Sequence, residues 1–147
     1  PLYISSAKER FQGYCKALEE YGVRVDPSMI TTGAVTLEDG YQCTKSLLKR
    51  KPRPAAIFAF SDFVAFGVIR AIHESGLRVP SDIAVVGYDN NQFAPYAEVP
   101  LTTIHVPKEQ LGIMSIKVLK DHLVSNQPVT QLKIPVDLVV RESTSKK

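Results

Sequence analysis

Apolar positions recur at three- and four-residue steps in four stretches of the chain and run unbroken in two others, a pattern that predicts helices alternating with buried strands. Ser6, Ala7, Lys8 and Glu9 have the spacing of a capping box, in which a serine oxygen takes the amide three residues on and a glutamate reaches back. A helix is therefore expected to begin there, with Phe11, Tyr14, Cys15 and Leu18 on one stripe and Gly22 as its left-handed stop. Residues 29–32 read as a short strand. Thr36 with Asp39 caps a second helix that carries Tyr41, Thr44, Leu47 and Leu48 on one side and stops before Pro52 and Pro54. Residues 55–60 and 83–87 are apolar almost throughout, as in parallel strands covered on both faces. Between them a helix over 62–75 ends at Gly76. Strand, helix and strand in succession form a right-handed crossover unit, so the predicted fold is α/β, an open parallel sheet with helices on both faces.

The tail has a different pattern. Pro107 suits a first helical position, and Leu111, Met114, Val118 and Leu119 predict a helix over 108–125. Residues 133–140 alternate like a strand with one solvated face, interrupted by Pro135, which cannot donate to a ladder. The proline predicts a crossing between two sheets.

Composition narrows the class. With 147 residues, 44% hydrophobic and 22% charged, the chain has room for one core and the balance of an ordinary globular protein. It shows no apolar run of membrane-spanning length and no leader pattern. Cys15 and Cys43 both fall in predicted helices, which favours inert packing thiols and a reducing cytoplasm over a disulfide framework. The net charge of +3 is spread out, and the dense basic cluster of Lys49, Arg50, Lys51 and Arg53 reads as a solvated helix end rather than a nucleic-acid patch.

The search for chemistry returns little that is catalytic. His73, His105 and His122 are far apart, without metal or nucleophile spacing, and neither a phosphate loop nor a Gly-x-Ser-x-Gly elbow is present. No catalytic residue, metal site or cofactor is expected. Asp62 and Asp89 both follow predicted parallel strands, at the end where open α/β sheets bind ligands. As a pair they would be the one acid/base candidate for an α/β enzyme. Asp62 starts a helix, however, and reads first as its cap. Asp89 precedes a loop of Asn90, Asn91 and Gln92 with no helix to cap, which leaves a ligand contact and a turn residue as equal alternatives. Arg10 lies off the apolar stripe of its helix and, taken alone, reads as solvated surface.

Several motifs in one order then carry a resemblance. Val85-Val86-Gly87-Tyr88-Asp89-Asn90, followed by Pro100-Leu101-Thr102-Thr103-Ile104, resembles the effector-binding region of the lactose/galactose-repressor family of transcription factors. Ala59-Phe60-Ser61-Asp62, Glu74-Ser75-Gly76-Leu77-Arg78-Val79-Pro80 and Arg10-Phe11-Gln12-Gly13-Tyr14 match its order and spacing, over about the whole chain. The resemblance implies a periplasmic-binding-protein-like fold of two subdomains crossed three times. By that analogy residues 1–106 and 136–147 form the C-terminal subdomain, and 107–135 returns to an N-terminal one that is otherwise absent. The chain is thus expected to be a fragment, with a strand-sized gap beside 57–60 where the family's first strand would lie.

The resemblance also implies a function: sensing a sugar, sugar phosphate or purine for a cytoplasmic, homodimeric repressor that reaches operator DNA through an upstream helix-turn-helix. Arg10, Ser61 and Asp89 are its expected ligand contacts, with Ser6, Val35 and Tyr88 as secondary lining. An arginine fork suits vicinal hydroxyls or a carboxylate, and a carboxylate accepts two hydroxyls. Ser61 stands where many relatives have asparagine. Val35 and Lys108 occupy positions where some relatives carry an aromatic platform, so Phe60, Phe63 and Tyr88 are the candidates for apolar surface. Phe63, Phe66, Ile69 and Arg70 with the loop 96–99, Tyr96 included, match the family's dimer contact, although a core stripe explains Ile69 equally well. A solute-binding receptor for sugar uptake, which shares the fold, is the alternative reading.

Overall fold

Four helices and a four-stranded sheet make up the computed structural model, which describes residues 5–125 and 132–145. The order along the chain is α1 (Ser5–Glu20), α2 (Leu37–Leu47), β1 (Ala56–Phe58), α3 (Asp62–Glu74), β2 (Ala84–Asp89), β3 (Thr102–His105), α4 (Lys108–Ser125) and β4 (Asp137–Val139). In space the strands follow the same order. β1, β2 and β3 are parallel, with Val86 opposite Phe58 and Thr102, whereas β4 runs antiparallel to β3 with Leu138 opposite Ile104.

The sheet is therefore mixed, not wholly parallel as expected. The chain leaves it at His105 and re-enters opposite that residue at Asp137, so it returns at the end where it departed. A crossover to the far end, which a parallel strand requires, does not take place.

Alternation along β2 sorts the two faces. Val85 and Gly87 are buried on the α3 side, in a core with Val64, Val68, Ile72, Ile83 and Leu101. Tyr88 points the other way, under Arg10 of α1, so helices do lie on both faces. α3 also packs closely on α2, because a Cβ at Gly67 would collide with the Leu37 carbonyl and one at Gly40 with the Val64 carbonyl. Only residues without a side chain allow this crossing distance.

The local signals were read unequally well. Thr36 and Asp39 form the complete capping box of α2. Gly22 has φ +67 and, with Val23 donating to the Leu18 carbonyl, closes α1 in a Schellman turn. The other capping box does not form as expected, since Ser6 lies inside α1, one residue past its first described position. Pro107 sits just outside α4, its carbonyl accepting from the Leu111 amide. The strand expected over 29–32 is a short 3-10 turn from Pro27 to Met29, set by Pro27 at its first position and by the Asp26 side chain accepting from the Ser28 amide. Ile30 beyond it is extended but pairs with no described strand.

β1 is shorter than the apolar run predicted, and it is not covered on both sides, for Phe58 is 40% exposed. It forms the open edge of the sheet, and a cavity of about 210 Å³ runs beside it, between α1 and the α2–α3 pair. Ala7, Phe11, Tyr14, Ile30, Leu47 and Ile57 are among its walls. No α4 residue with described burial is fully buried: Ile113, Ile116, Leu119, Leu123 and Val124 are all more than half exposed, and Met114 and Val118 are partly covered. Of the expected return segment 107–135, residues 126–131 lie outside the described residues.

Candidate functional site

The carboxyl end of β2 is where the sequence candidates meet. Arg10 projects from the second turn of α1 across the sheet, and its guanidinium carbon lies 3.6 Å from the centroid of the Tyr88 ring and 4.8 Å from that of Phe60. One of its N–H groups donates to the Phe60 carbonyl at 2.7 Å. Another faces the Asp89 carboxylate at 3.6 Å, an ion pair too long for a hydrogen bond. The guanidinium thus lies against two aromatic rings and is held at one N–H by a backbone oxygen, while another of its nitrogens faces Asp89. Two of the platforms expected for apolar surface, Phe60 and Tyr88, hold the arginine. Phe63 is 51% exposed and forms no part of this stack.

Asp89 has φ +105 and Asn90 φ +48, two consecutive non-glycine residues in the left-handed region. Such conformations cost about 1–3 kcal/mol each and persist where the surroundings over-determine them. Here they do. The Asp89 carbonyl accepts from the Lys108 ammonium at the start of α4. The Asn90 side chain accepts from Arg141 at 2.8 Å and lies 3.1 Å from His105 Nδ1. The Asn90 amide donates to the Thr103 hydroxyl, and the Asn91 amide donates to Asp62. Burial raises the pKa of the Asp89 carboxyl above the usual aspartate value, and the nearby Asp62 charge adds to the rise, while Arg10 and Lys108 oppose it.

Asp62 does not cap α3. That role belongs to Ser61, whose hydroxyl accepts from the Val64 amide at 3.4 Å. Ser61 is 9% exposed. Asp62 is fully buried, with one carboxylate oxygen on the Thr103 hydroxyl and the other on the Asn91 amide, both at 2.5 Å. Gly87 makes room for it, because a Cβ there would fall on the carboxylate. Enclosed and with both oxygens hydrogen-bonded inside the fold, Asp62 has the setting of a structural carboxylate rather than of one open to a substrate.

The structure leaves the other candidates less engaged. Ser6 is exposed one turn before Arg10 on α1. Val35 is 49% exposed in the loop before α2, where its amide donates to Asp39. Sequence reasoning overlooked Thr103, His105, Arg141 and the Lys108 ammonium as parts of the site. Thr103 falls in the motif Pro100–Ile104, and Lys108 stands where some relatives carry an aromatic, and neither signal points to these contacts.

A family model for the periplasmic-binding-protein-like domain matches residues 4–144. The chain belongs to that family. It is 36% identical over 143 residues to the HTH-type transcriptional repressor PurR of Pasteurella multocida, covering 97% of this chain and 43% of the relative. Among solved structures it is similar to a transcriptional regulator CelR–cellobiose complex (37% identity, TM-score 0.87, 92% of this chain and 42% of that one). It is likewise similar to a LacI-family regulator from Lactobacillus casei with bound sucrose (32% identity, TM-score 0.79, 93% and 51%). The chain spans less than half the length of the curated relatives it matches. The resemblance to effector regions of lactose/galactose-repressor regulators is borne out, and so is the fold class in its mixed-sheet form. Among the described residues no helix is long and apolar enough to cross a membrane, and no cluster of metal-ligating side chains is found.

Proposed function

We propose that this chain is the small-molecule effector-sensing part of a cytoplasmic DNA-binding transcriptional regulator, with Arg10 and Asp89 as its central ligand contacts. The observation that carries the reading is the preset Arg10 guanidinium, lying against the Phe60 and Tyr88 rings and facing Asp89. Donors on one side and acceptors on the other bracket a polyhydroxylated ring. The repressor relatives and the sugar-bound neighbours support the same reading. Residues 1–106 and 136–147 would form one subdomain and 107–135 would pass to a second. The exit and re-entry of the chain at one end of the sheet, with the exposed apolar faces of α4, suit that division. A ligand that closes the cleft would then alter the spacing of operator-binding heads by linkage.

Isothermal titration of the full protein against cellobiose, sucrose, sugar phosphates and purines tests this. Saturable binding of one class is expected, and silence across the panel would remove the effector reading.

The pH dependence has a definite sign. Ionised Asp89 is the form that accepts ligand hydroxyls, so affinity should be full above its raised pKa. It should fall away as pH drops through that value, beginning at higher pH than for an ordinary aspartate. Stability moves oppositely: the contribution of Asp89 is present below the ordinary aspartate range and lost as pH rises through the raised value. Affinity that is flat across this window would argue against Asp89 as the acceptor.

A further inference from the structure

We propose that Asp62 and Thr103 form a positioning clamp for the effector carboxylate: buried and touching no ligand, they hold Asp89 in the left-handed conformation that aims it at Arg10. The inference rests on reading Asp89 as an effector contact and goes beyond it, because Asp62 and Thr103 are fully buried and act only through the turn that follows Asp89.

Three observations converge. The first is where the turn's amides go. Immediately after Asp89, the Asn91 amide donates directly to one Asp62 oxygen, and the Asn90 amide reaches the other through the Thr103 hydroxyl, which accepts from Asn90 at 3.3 Å and donates to Asp62 at 2.5 Å. One carboxylate thus organises two successive N–H groups of a turn that would otherwise leave the left-handed region. The second is burial. Asp62 and Thr103 are both fully buried, and a buried charge is retained only where its hydrogen bonds are complete. Every partner of this one except Thr103 belongs to the turn. The third is the room made for it. Gly87, two residues before Asp89, has no side chain where the carboxylate sits, and Ser61 satisfies the helix amide that Asp62 would otherwise cap. Asp62 is thereby free to reach from the start of α3 to the end of β2. Its charge also lies beside the amide-rich first turn of α3, where a negative group is favoured.

The hydroxyl of Thr103 separates positioning from packing. Thr103→Val keeps the shape, removes the donor to Asp62 and orphans the Asn90 amide, whereas Thr103→Ser keeps the hydroxyl. Binding of cellobiose and sucrose would be measured for the parent, both variants and Arg10→Ala. Amide exchange at Asn90 and Asn91 would be followed by NMR without sugar, with α3 core amides as the folding reference. The valine variant should bind about tenfold or more weakly and expose the Asn90 and Asn91 amides, since a buried group has lost its partner. The serine variant should restore both. If the valine variant loses protection throughout α3, Thr103→Ala removes the same hydroxyl without the added methyl. Unchanged exchange at Asn90 and Asn91 in a folded variant lacking the hydroxyl overturns the clamp. So does parental affinity in that variant when Arg10→Ala has lost binding. A parent protein that binds neither sugar counts against sugar as the effector class alone, and the exchange arm still decides the clamp.

Discussion

Arg10→Ala should weaken effector binding by at least about tenfold while leaving effector-free operator binding nearly intact. Arg10 is 19% exposed in its side chain, pinned by two rings and the Phe60 carbonyl, so little of its freedom remains to be lost when a ligand arrives. Its removal strips a charged donor from a half-enclosed site and leaves the ligand's acceptor unpaired. Arg10→Lys should not restore affinity, because an ammonium lacks the flat face that Phe60 and Tyr88 grip and the fork that pairs adjacent oxygens. Asp89→Ala should act comparably from the acceptor side. Titration curves for the alanine variants that overlay the parent's would place the effector elsewhere.

A comparable effect is expected on assembly. Phe63, Phe93 and Tyr96 are 51%, 55% and 85% exposed, and Phe66, half-buried, meets Phe63 edge to face at 6.1 Å between centroids. With Ile69 at its base, a shallow hollow of about 220 Å³ opens among Phe66, Phe93 and Tyr96. Burying such rings contributes roughly 1.5–3 kcal/mol each, so a face of this size favours association with a second copy. Phe66→Asp should convert dimers to monomers in sedimentation experiments, and unchanged association in the intact protein would dismiss this face. Ile69 itself belongs to the core at 3% exposure, and Arg70, paired with Glu74 at 2.8 Å, stays 58% exposed on the same helix as Phe63 and Phe66.

What the sequence made legible was local and periodic. The bounds of α3 and α4, the capping of α2 by Thr36 and the alternation of strand and helix each follow from a few neighbouring side chains. Asp89 and Arg10 were legible only through a motif, since nothing in the spacing of two residues 79 positions apart says that they meet. The clamp stayed hidden for the same reason. A serine and an aspartate side by side at a helix start are both good caps, and the choice between them depends on Gly87 and Thr103 in other strands. The direction of β4 was not legible, because alternation reports which face a residue takes and carries no information about the end at which the chain returns. The strand expected over 29–32 was lost to Pro27, a stronger local signal than four residues of extended propensity.

The seat of α1 on the sheet has its own consequence. Ala7 is its one fully buried residue, and the polar links from Arg10 to Phe60 and Asp89 tie the helix to the strands' ends. On the proposed reading, the residue offered to the ligand is also a tether of the helix that offers it. Docking a ligand and seating α1 would then be coupled equilibria, so a substitution that loosens the helix through its cavity face, at Phe11 or Tyr14, should be felt as lost affinity.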